Sequence, residues 1–500
     1  MIFRYFGTFV GYMQKKGAVQ LIRPLLLGAI MICTPLAAES LQADSNDDDG
    51  FWNAFTSGAF KTLIRYNVMY RDSNLRMLQD GSDPVPDTEK KQQYSAFGGY
   101  FGYETAPWFN TTFGATLYTS QPIGNNPDDR RGLGGLYEHD GGQDGYTALG
   151  ELFVRWQNGG HRIKAGRQEM PAYRMVSLSN IRMTPVTHSG IAYDNTVFDG
   201  LKFSIAGINR MKERNDYKFI DMARGARLQE SSNGKQIIRG EYDPADYGEN
   251  GYIGDKKEML MAGAVWQPGN FTLEAWNYCI GDFLNSLYLY GDYSIQPASG
   301  NWTYTLAGQY TDQRDVGGHI AGNIDTWHWG LKLSAGRPGM LLFAGYNEVD
   351  YNEDSYDGGT LFVRWGTPQM FNSFQVQDSE LAGTKSWGVG WQYDLGLPGL
   401  VRGTVIRFRY ADYDMPDDLI LTDARQDRAE ATFDLRYSFT RDAGFGIFTQ
   451  MDGLSIQFRA AWNNYATDYN FEAYREIHGY DFESVTKDFW DLRLYLDYHF

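Results

Sequence analysis

Arg155, Lys164, Lys202, Lys332, Arg407, Arg409, Arg436, Arg459 and Arg493 are each flanked on both sides by apolar residues. Arg162 extends the pattern two residues before Lys164. Such a set suits anions. Arg presents a planar fork that grips a carboxylate at two points, and Lys is a compact point charge. A row of cations lets an anion exchange from one to the next without one deep well. The alternative chemistry is bracing, with these cations paired to acids such as Asp434. Catalytic readings are poor. The seven His (His139, His161, His188, His319, His328, His478 and His499) include no pair at helical metal spacing. His188 and Ser189 are adjacent, but adjacency gives no triad geometry. Cys33 and Cys279 have no metal spacing around them, and no phosphate-binding Gly-rich loop occurs. The expectation is reversible anion binding, with no enzyme, metal or cofactor.

The flanking pattern points to the elements that must hold these cations. Leu454, Ile456 and Phe458 alternate with Ser455, Gln457 and Arg459. The same period of two runs through Phe433–Phe439, Leu201–Ile205, Leu152–Trp156 and Thr404–Tyr410, and persists from about residue 58 to the last. Alternating segments of about ten residues, separated by turns, are the mark of a transmembrane β-barrel. In lipid every backbone group must be paired, so the sheet must close. A soluble sandwich also alternates. Composition argues against it: 500 residues carry 35 Tyr, 30 Phe and 13 Trp, 16% aromatic, with 57 Gly against 16 Pro. Aromatics gather at the two membrane interfaces of such barrels. The mature chain has no apolar run long enough for a helical span.

Length sets the strand number. At about 25 residues per strand and connection, the 462 residues 39–500 make about 18 strands, within 16–18, and usually an even number. A barrel of that size leaves an aqueous channel. Asp199-Gly200, Pro268-Gly269-Asn270, Pro338-Gly339 and Asp357-Gly358-Gly359 read as tight connections. The stretches 72–92, 121–145, 209–256 and 350–359 read as extracellular loops. Alternation puts Trp327 and Trp329 with Leu331 on the lipid face, and Cys279 reads as a small apolar strand residue.

The two ends carry addresses. Arg4, Lys15, Lys16 and Arg23 precede the apolar Leu25–Cys33 and the small residues before Glu39. Residues 1–38 are expected to be a cleaved signal peptide. Residues 39–57 are an acidic, polar tail, and 58–500 the barrel. Formal net charge is −17, and losing the four basic residues of 1–38 makes it −21. That argues against nucleic acid, whose partners need a basic footprint. At the other end, Leu492, Leu494, Leu496, Tyr498 and Phe500 share one face. This resembles the terminal strand that outer-membrane barrels present to their assembly machinery, with Tyr498 and Phe500 as the signal.

Gly166-Arg167-Gln168 is followed by Asn180-Ile181-Arg182-Met183-Thr184-Pro185 and then Gly190. Gly383-Thr384-Lys385-Ser386-Trp387 precedes Tyr393-Asp394 and Pro398-Gly399-Leu400. In these islands the chain resembles the OprD family of substrate-specific outer-membrane porins, although Asn180 stands where that family usually has Asp. The resemblance implies a barrel of about 18 strands with loops folded into the pore, in monomers or loose trimers. It implies that 170–190 is a constriction loop, with Arg167, Arg174 and Arg182 in or beside it and Tyr173 and Asn180 as hydrogen-bonding partners. It implies passive diffusion of small anionic or zwitterionic solutes, carboxylate-bearing, through a Gram-negative outer membrane. The alternative is a general or sugar-type porin, or a polysaccharide exporter, on a similar barrel.

Overall fold

The computed structural model describes residues 50–500 except 77–87, 128–132, 140–141, 171–172, 229–256, 299, 364, 368, 398–400, 417–426, 440–451, 467–484 and 487. The expected signal peptide, most of the acidic tail, Pro171, Pro398-Gly399-Leu400 and most of the 209–256 insert lie outside those residues. Ala54–Phe500 forms one compact unit, which holds the sheet and its inward loops.

Among the described residues eighteen long strands form one antiparallel sheet. They are β1 Ala59–Arg76, β2 Thr88–Glu104, β3 Thr111–Pro122, β4 Tyr146–Asn158, β5 His161–Gln168 and β6 Thr187–Phe198. Next come β7 Leu201–Lys212, β8 Met259–Trp266, β9 Phe271–Ile280, β10 Leu284–Ile295, β11 Thr303–Asp315 and β12 Asp325–Arg337. The last are β13 Met340–Val349, β14 Lys385–Asp394, β15 Thr404–Asp414, β16 Arg428–Ser438, β17 Leu454–Tyr465 and β18 Phe489–His499. Each pairs with its neighbours in sequence. β18 returns to β1, from Leu63 opposite His499 to Asp72 opposite Trp490, and closes the barrel. The strand number and closure agree with the sequence reading.

Outward positions are apolar and exposed. Ile205, Leu306, Leu331 and Leu333 are all more than half exposed or close to it, which lipid, not water, accommodates. Trp329 and Tyr346 lie 5.2 Å apart and Trp387 and Tyr410 5.4 Å apart, an outward aromatic row on β12–β15. Trp327 and Cys279 are also in the outward register.

The start of β1 and the end of β18 share one end of the barrel with the connections β4–β5, β6–β7, β8–β9 and β12–β13, which are tight; Gly200 supplies a positive φ of 67° there. Most long connections lie at the other end. Two expected loops differ from the structure. Strands β1 and β2 run on to Arg76 and from Thr88, so much of 72–92 is ladder. Asp357-Gly358-Gly359 is no strand turn; it sits in a 3-10 turn, Tyr356–Gly359, within a connection from 350 to 384.

That connection and the one between β5 and β6 turn into the lumen. Met170, Tyr173, Met175 and Val176 from one loop, and Leu361, Phe362, Val363 and Trp365 from the other, are buried together. Helix α1, Met222–Leu228, adds Met222, Ala223 and Ala226. They pack on inward side chains of β6–β10 such as Ile208, Met261, Trp276 and Tyr288. Gly263 belongs to this face because the Trp276 ring lies across it, where any Cβ would collide. A dry core therefore fills one side of the barrel.

Candidate functional site

Pairing parity assigns each inward residue. Opposite partners share a face, and the buried Thr112, Thr116 and Tyr118 of β3 set the inward register. From there it runs through Arg155, Lys164, Asp194, Ser204 and onward around the sheet. All ten basic residues of the alternating set fall on the inward face.

Their surroundings divide them. On β4–β7 each has a carboxylate. Arg155 lies 3.1 Å from Glu104, Lys164 3.8 Å from Glu151 and Lys202 3.4 Å from Asp194. Arg162 donates from Nε to Asp194 at 3.0 Å. Lys61, which the sequence reading missed, bridges Glu151 and Glu169 at 3.3 and 3.0 Å. This wall is braced and close to neutral.

On β12–β16 the cations of the set form no ion pair among the described residues, although Asp434 stands opposite Arg407. Lys332 rests on the rings of Phe343 and Phe371, 4.6 and 5.6 Å from their centroids. Among the described residues Arg407 donates only to the neutral Gln392 Oε1, at 2.9 and 2.6 Å. Arg409 donates to Thr432 Oγ1 at 3.2 Å, lies 4.6 Å over Phe374, and keeps a buried Nη2 without a partner. Arg436 is exposed to the lumen with no partner among the described residues. Arg459, on β17, pairs with Asp434 at 3.2 Å.

Arg493 departs from the expectation of a solute-facing cation. It is 1% exposed, held by Asp491 at 2.6 Å and by the Gln375 carbonyl at 2.8 Å. The loop from 370 to 384 covers it. Arg71, also missed, shares Asp491 at 2.9 Å, and Arg65 binds Asp497 through two bonds of 2.7 Å. A signal for both existed. Arg65, Asn67, Met69 and Arg71 alternate with Ile64, Tyr66, Val68 and Tyr70.

The loop between β5 and β6 is tied to the wall by several of the residues expected in it. Tyr173 donates to Asp194 at 2.9 and 3.0 Å, and its own carbonyl accepts from Tyr278 at 2.8 Å. Burial, then Asp194, pushes the Tyr173 phenol up, so it stays a neutral donor. Arg174 grips Glu274 and lies 4.1 Å over Tyr290. Asn180 Oδ1 accepts from Arg65 at 3.0 Å. These residues anchor the loop. Arg167 is not in it. It is the penultimate residue of β5, in the outward register opposite Leu152, donates to the Leu149 carbonyl at 3.0 Å and stacks 4.4 Å over Phe219. The irregular Gly166, at φ 119°, precedes it.

The second inward loop, 360–384, had no sequence signal beyond its flanks. Glu430, fully buried on β16, accepts the backbone N–H groups of Gln375, Val376 and Gln377 at 3.0, 3.1 and 2.9 Å. Asn372 settles against the wall because Gly345 and Gly388 lack Cβ atoms. A Cβ at Gly388 would stand 2.7 Å from Asn372 Oδ1. The two loops meet where Thr367 N–H donates to Ser177 Oγ at 3.2 Å, and His188 Nε2, on β6, contacts the Trp365 carbonyl at 2.9 Å. Among the described residues no group of His, Cys, Asp and Glu is placed to hold a metal, and no helix is long and apolar enough to cross a membrane.

A model of the family described as "outer membrane porin, OprD family" matches residues 125–484. A comparison with curated proteins returned no match. Solved structures with a similar fold include Pseudomonas aeruginosa OccK9 (OpdG), at TM-score 0.67 and 19% identity, covering 89% of this chain and 99% of that one. Acinetobacter baumannii OccAB3 gives TM-score 0.64 and 16% identity over 88% and 99%. Pseudomonas aeruginosa OpdK with vanillate gives 0.61 and 18% over 87% and 98%.

Proposed function

Since the chain belongs to the OprD family of outer membrane porins, we propose that it passes small carboxylate-bearing solutes by passive diffusion along a basic wall. The observation that carries this is the asymmetry of the lumen. Inward loops and a dry core fill the side at β6–β10, while Lys332, Arg407, Arg409 and Arg436 on β12–β16 are partly exposed or exposed and form no ion pair among the described residues. A carboxylate replaces the missing acid at each cation in turn, held at two points by Arg. No residue there is deeply enclosed around an anion, so exchange stays fast. Arg155, Arg162, Lys164 and Lys202 brace the opposite wall in this reading. Tyr173, Arg174 and Asn180 fix the constriction loop.

Proteoliposome swelling tests it. Acetate and lactate are expected to enter faster than neutral sugars or polyols of similar size. Equal rates would favour a general or sugar-type porin.

Export and assembly belong to the same proposal. The protein reaches a Gram-negative outer membrane after cleavage behind Ala38. Tyr498 and Phe500, whose rings stack at 5.5 Å, address it to the barrel assembly machinery, and it works as a monomer or loose trimer. A mature mass beginning at Glu39, and loss of outer-membrane yield on deleting Phe500, are expected. An uncleaved chain would contradict the cleavage site, and undiminished yield the assembly signal.

A further inference from the structure

We propose that Arg167, Ser189 and Arg210, an outward row across β5–β7, seat the phosphate-bearing headgroup of an outer-leaflet lipid, apart from the solute path. Ser189 stands opposite Arg167 on one side and opposite Arg210 on the other. The two arginines thus flank one hydroxyl on the membrane face, their Cα atoms two strand spacings, about 10 Å, apart. Arg210 follows the tight Asp199-Gly200 turn by ten residues. At about 3.3 Å per residue and a tilt of about 40°, that is about 25 Å, the height of a barrel's whole apolar band, so Arg210 stands at its outer edge on the side of the long loops. Arg167 starts lower, but its guanidinium climbs the same way. It reaches the Leu149 carbonyl at 3.0 Å, three residues nearer the loops than the opposite Leu152, and lies 4.4 Å over Phe219, which pairs with Lys212. Long basic side chains leave hydrocarbon for the headgroups in this way.

The charges on this face single the row out. Arg210 is exposed, and neither it nor the half-buried Ser189 side chain has a hydrogen-bond or ionic partner among the described residues. Arg167 has one carbonyl and one ring, and no acid. Glu258, exposed at the approach to β8, forms no ion pair with either arginine. Other exposed outward cations at this end stand against acids. Arg314 pairs with Asp312 and Asp325, Lys385 lies between Glu348 and Asp414, and Lys91 faces Asp72. Among the described side chains, the β5–β7 row alone turns uncompensated positive charge to the membrane. Arg holds a phosphate at two points, and the Ser189 hydroxyl adds a donor between the two forks. The anion is lipid-borne because apolar surface continues directly below: Leu152, Ile191, Ile205 and Leu260 are outward and more than half exposed, a bed for acyl chains.

The cations of the solute path, Lys332, Arg407, Arg409 and Arg436, face the lumen on other strands, so failure of one proposal leaves the other intact. The test uses the whole mature protein folded in detergent, with a diphosphorylated, acylated glucosamine disaccharide (lipid A) as probe and native mass spectrometry as readout. A bound glycolipid is expected on the wild type, and Arg167→Gln/Arg210→Gln is expected to need about tenfold more, since charge-assisted hydrogen bonds to the phosphate are lost. The same glycolipid without its phosphates is expected to bind wild type as weakly as the double variant, and millimolar inorganic phosphate is expected not to displace the intact lipid. Arg210→Gln alone removes an exposed side chain with no partner, so it keeps the fold and is expected to weaken binding by itself. Lys385→Gln, an outward cation set between acids, is the control and is expected to bind like wild type. Equal binding by wild type and the double variant, binding indifferent to the lipid's phosphates, or displacement by inorganic phosphate overturns the proposal.

Discussion

In a planar bilayer under a salt gradient, the triple variant Arg407→Gln/Arg409→Gln/Arg436→Gln is expected to lose the anion preference of the wild type. The reversal potential moves toward zero. The reason lies in how each charge is compensated. None of these three arginines forms an ion pair among the described residues, although Asp434 stands opposite Arg407 on the next strand, so much of their charge reaches the lumen. Removing them leaves Lys332, Asp394 and the Asp434–Arg459 pair on the same wall. The Debye length is about 10 Å at 0.1 M salt, so the effect is largest in dilute electrolyte and fades at molar salt. The matched control is Arg155→Gln/Glu104→Gln, which deletes a pair 3.1 Å apart. It removes no net charge and is expected to leave selectivity unchanged. Equal shifts in both variants would mean that the local balance of charge does not govern permeation.

Glu430→Ala is expected to open the pore. Its carboxylate satisfies three consecutive backbone N–H groups of the 360–384 loop inside the barrel. Each buried donor left without an acceptor costs roughly 1–3 kcal/mol. Three together exceed what the remaining contacts of Gln375 and Gln377 hold, and the loop leaves its seat. Single-channel conductance rises and open-channel noise increases, while the heat-modifiable migration of the folded barrel persists because no ladder hydrogen bond is lost. Glu430→Gln keeps one acceptor oxygen and falls between. An unchanged conductance in Glu430→Ala would show that the loop is held by the packing of its own Trp365 in the core and by the wall glycines instead.

The barrel was legible in the sequence because its determinants are local. A strand alternates with a period of two whatever it pairs with, and lipid on one face forces that face apolar. Arg407 between Ile406 and Phe408, or Lys332 between Leu331 and Leu333, could point only inward. Chain length then implied about 18 strands, and Trp329 fell on the lipid side. The same rule places Arg167, three residues past the inward Lys164, outward, whereas the family resemblance had put it in or beside the constriction loop. What the inward cations do was decided by partners far away in sequence. Arg65 meets Asp497, and Arg493 meets the carbonyl of Gln375, 432 and 118 residues away. Periodicity carries no information about such pairs, because it assigns a face and not a height or a neighbour. The inward loops were hidden for a related reason. Their polar backbone is satisfied by single side chains on distant strands, Glu430 above all, and by glycines such as Gly388 that make room. Residue types and their period set the wall and its sign. Closure of the sheet decided which of those charges stay uncompensated, because only closure brings the distant acids to some of them and not to others.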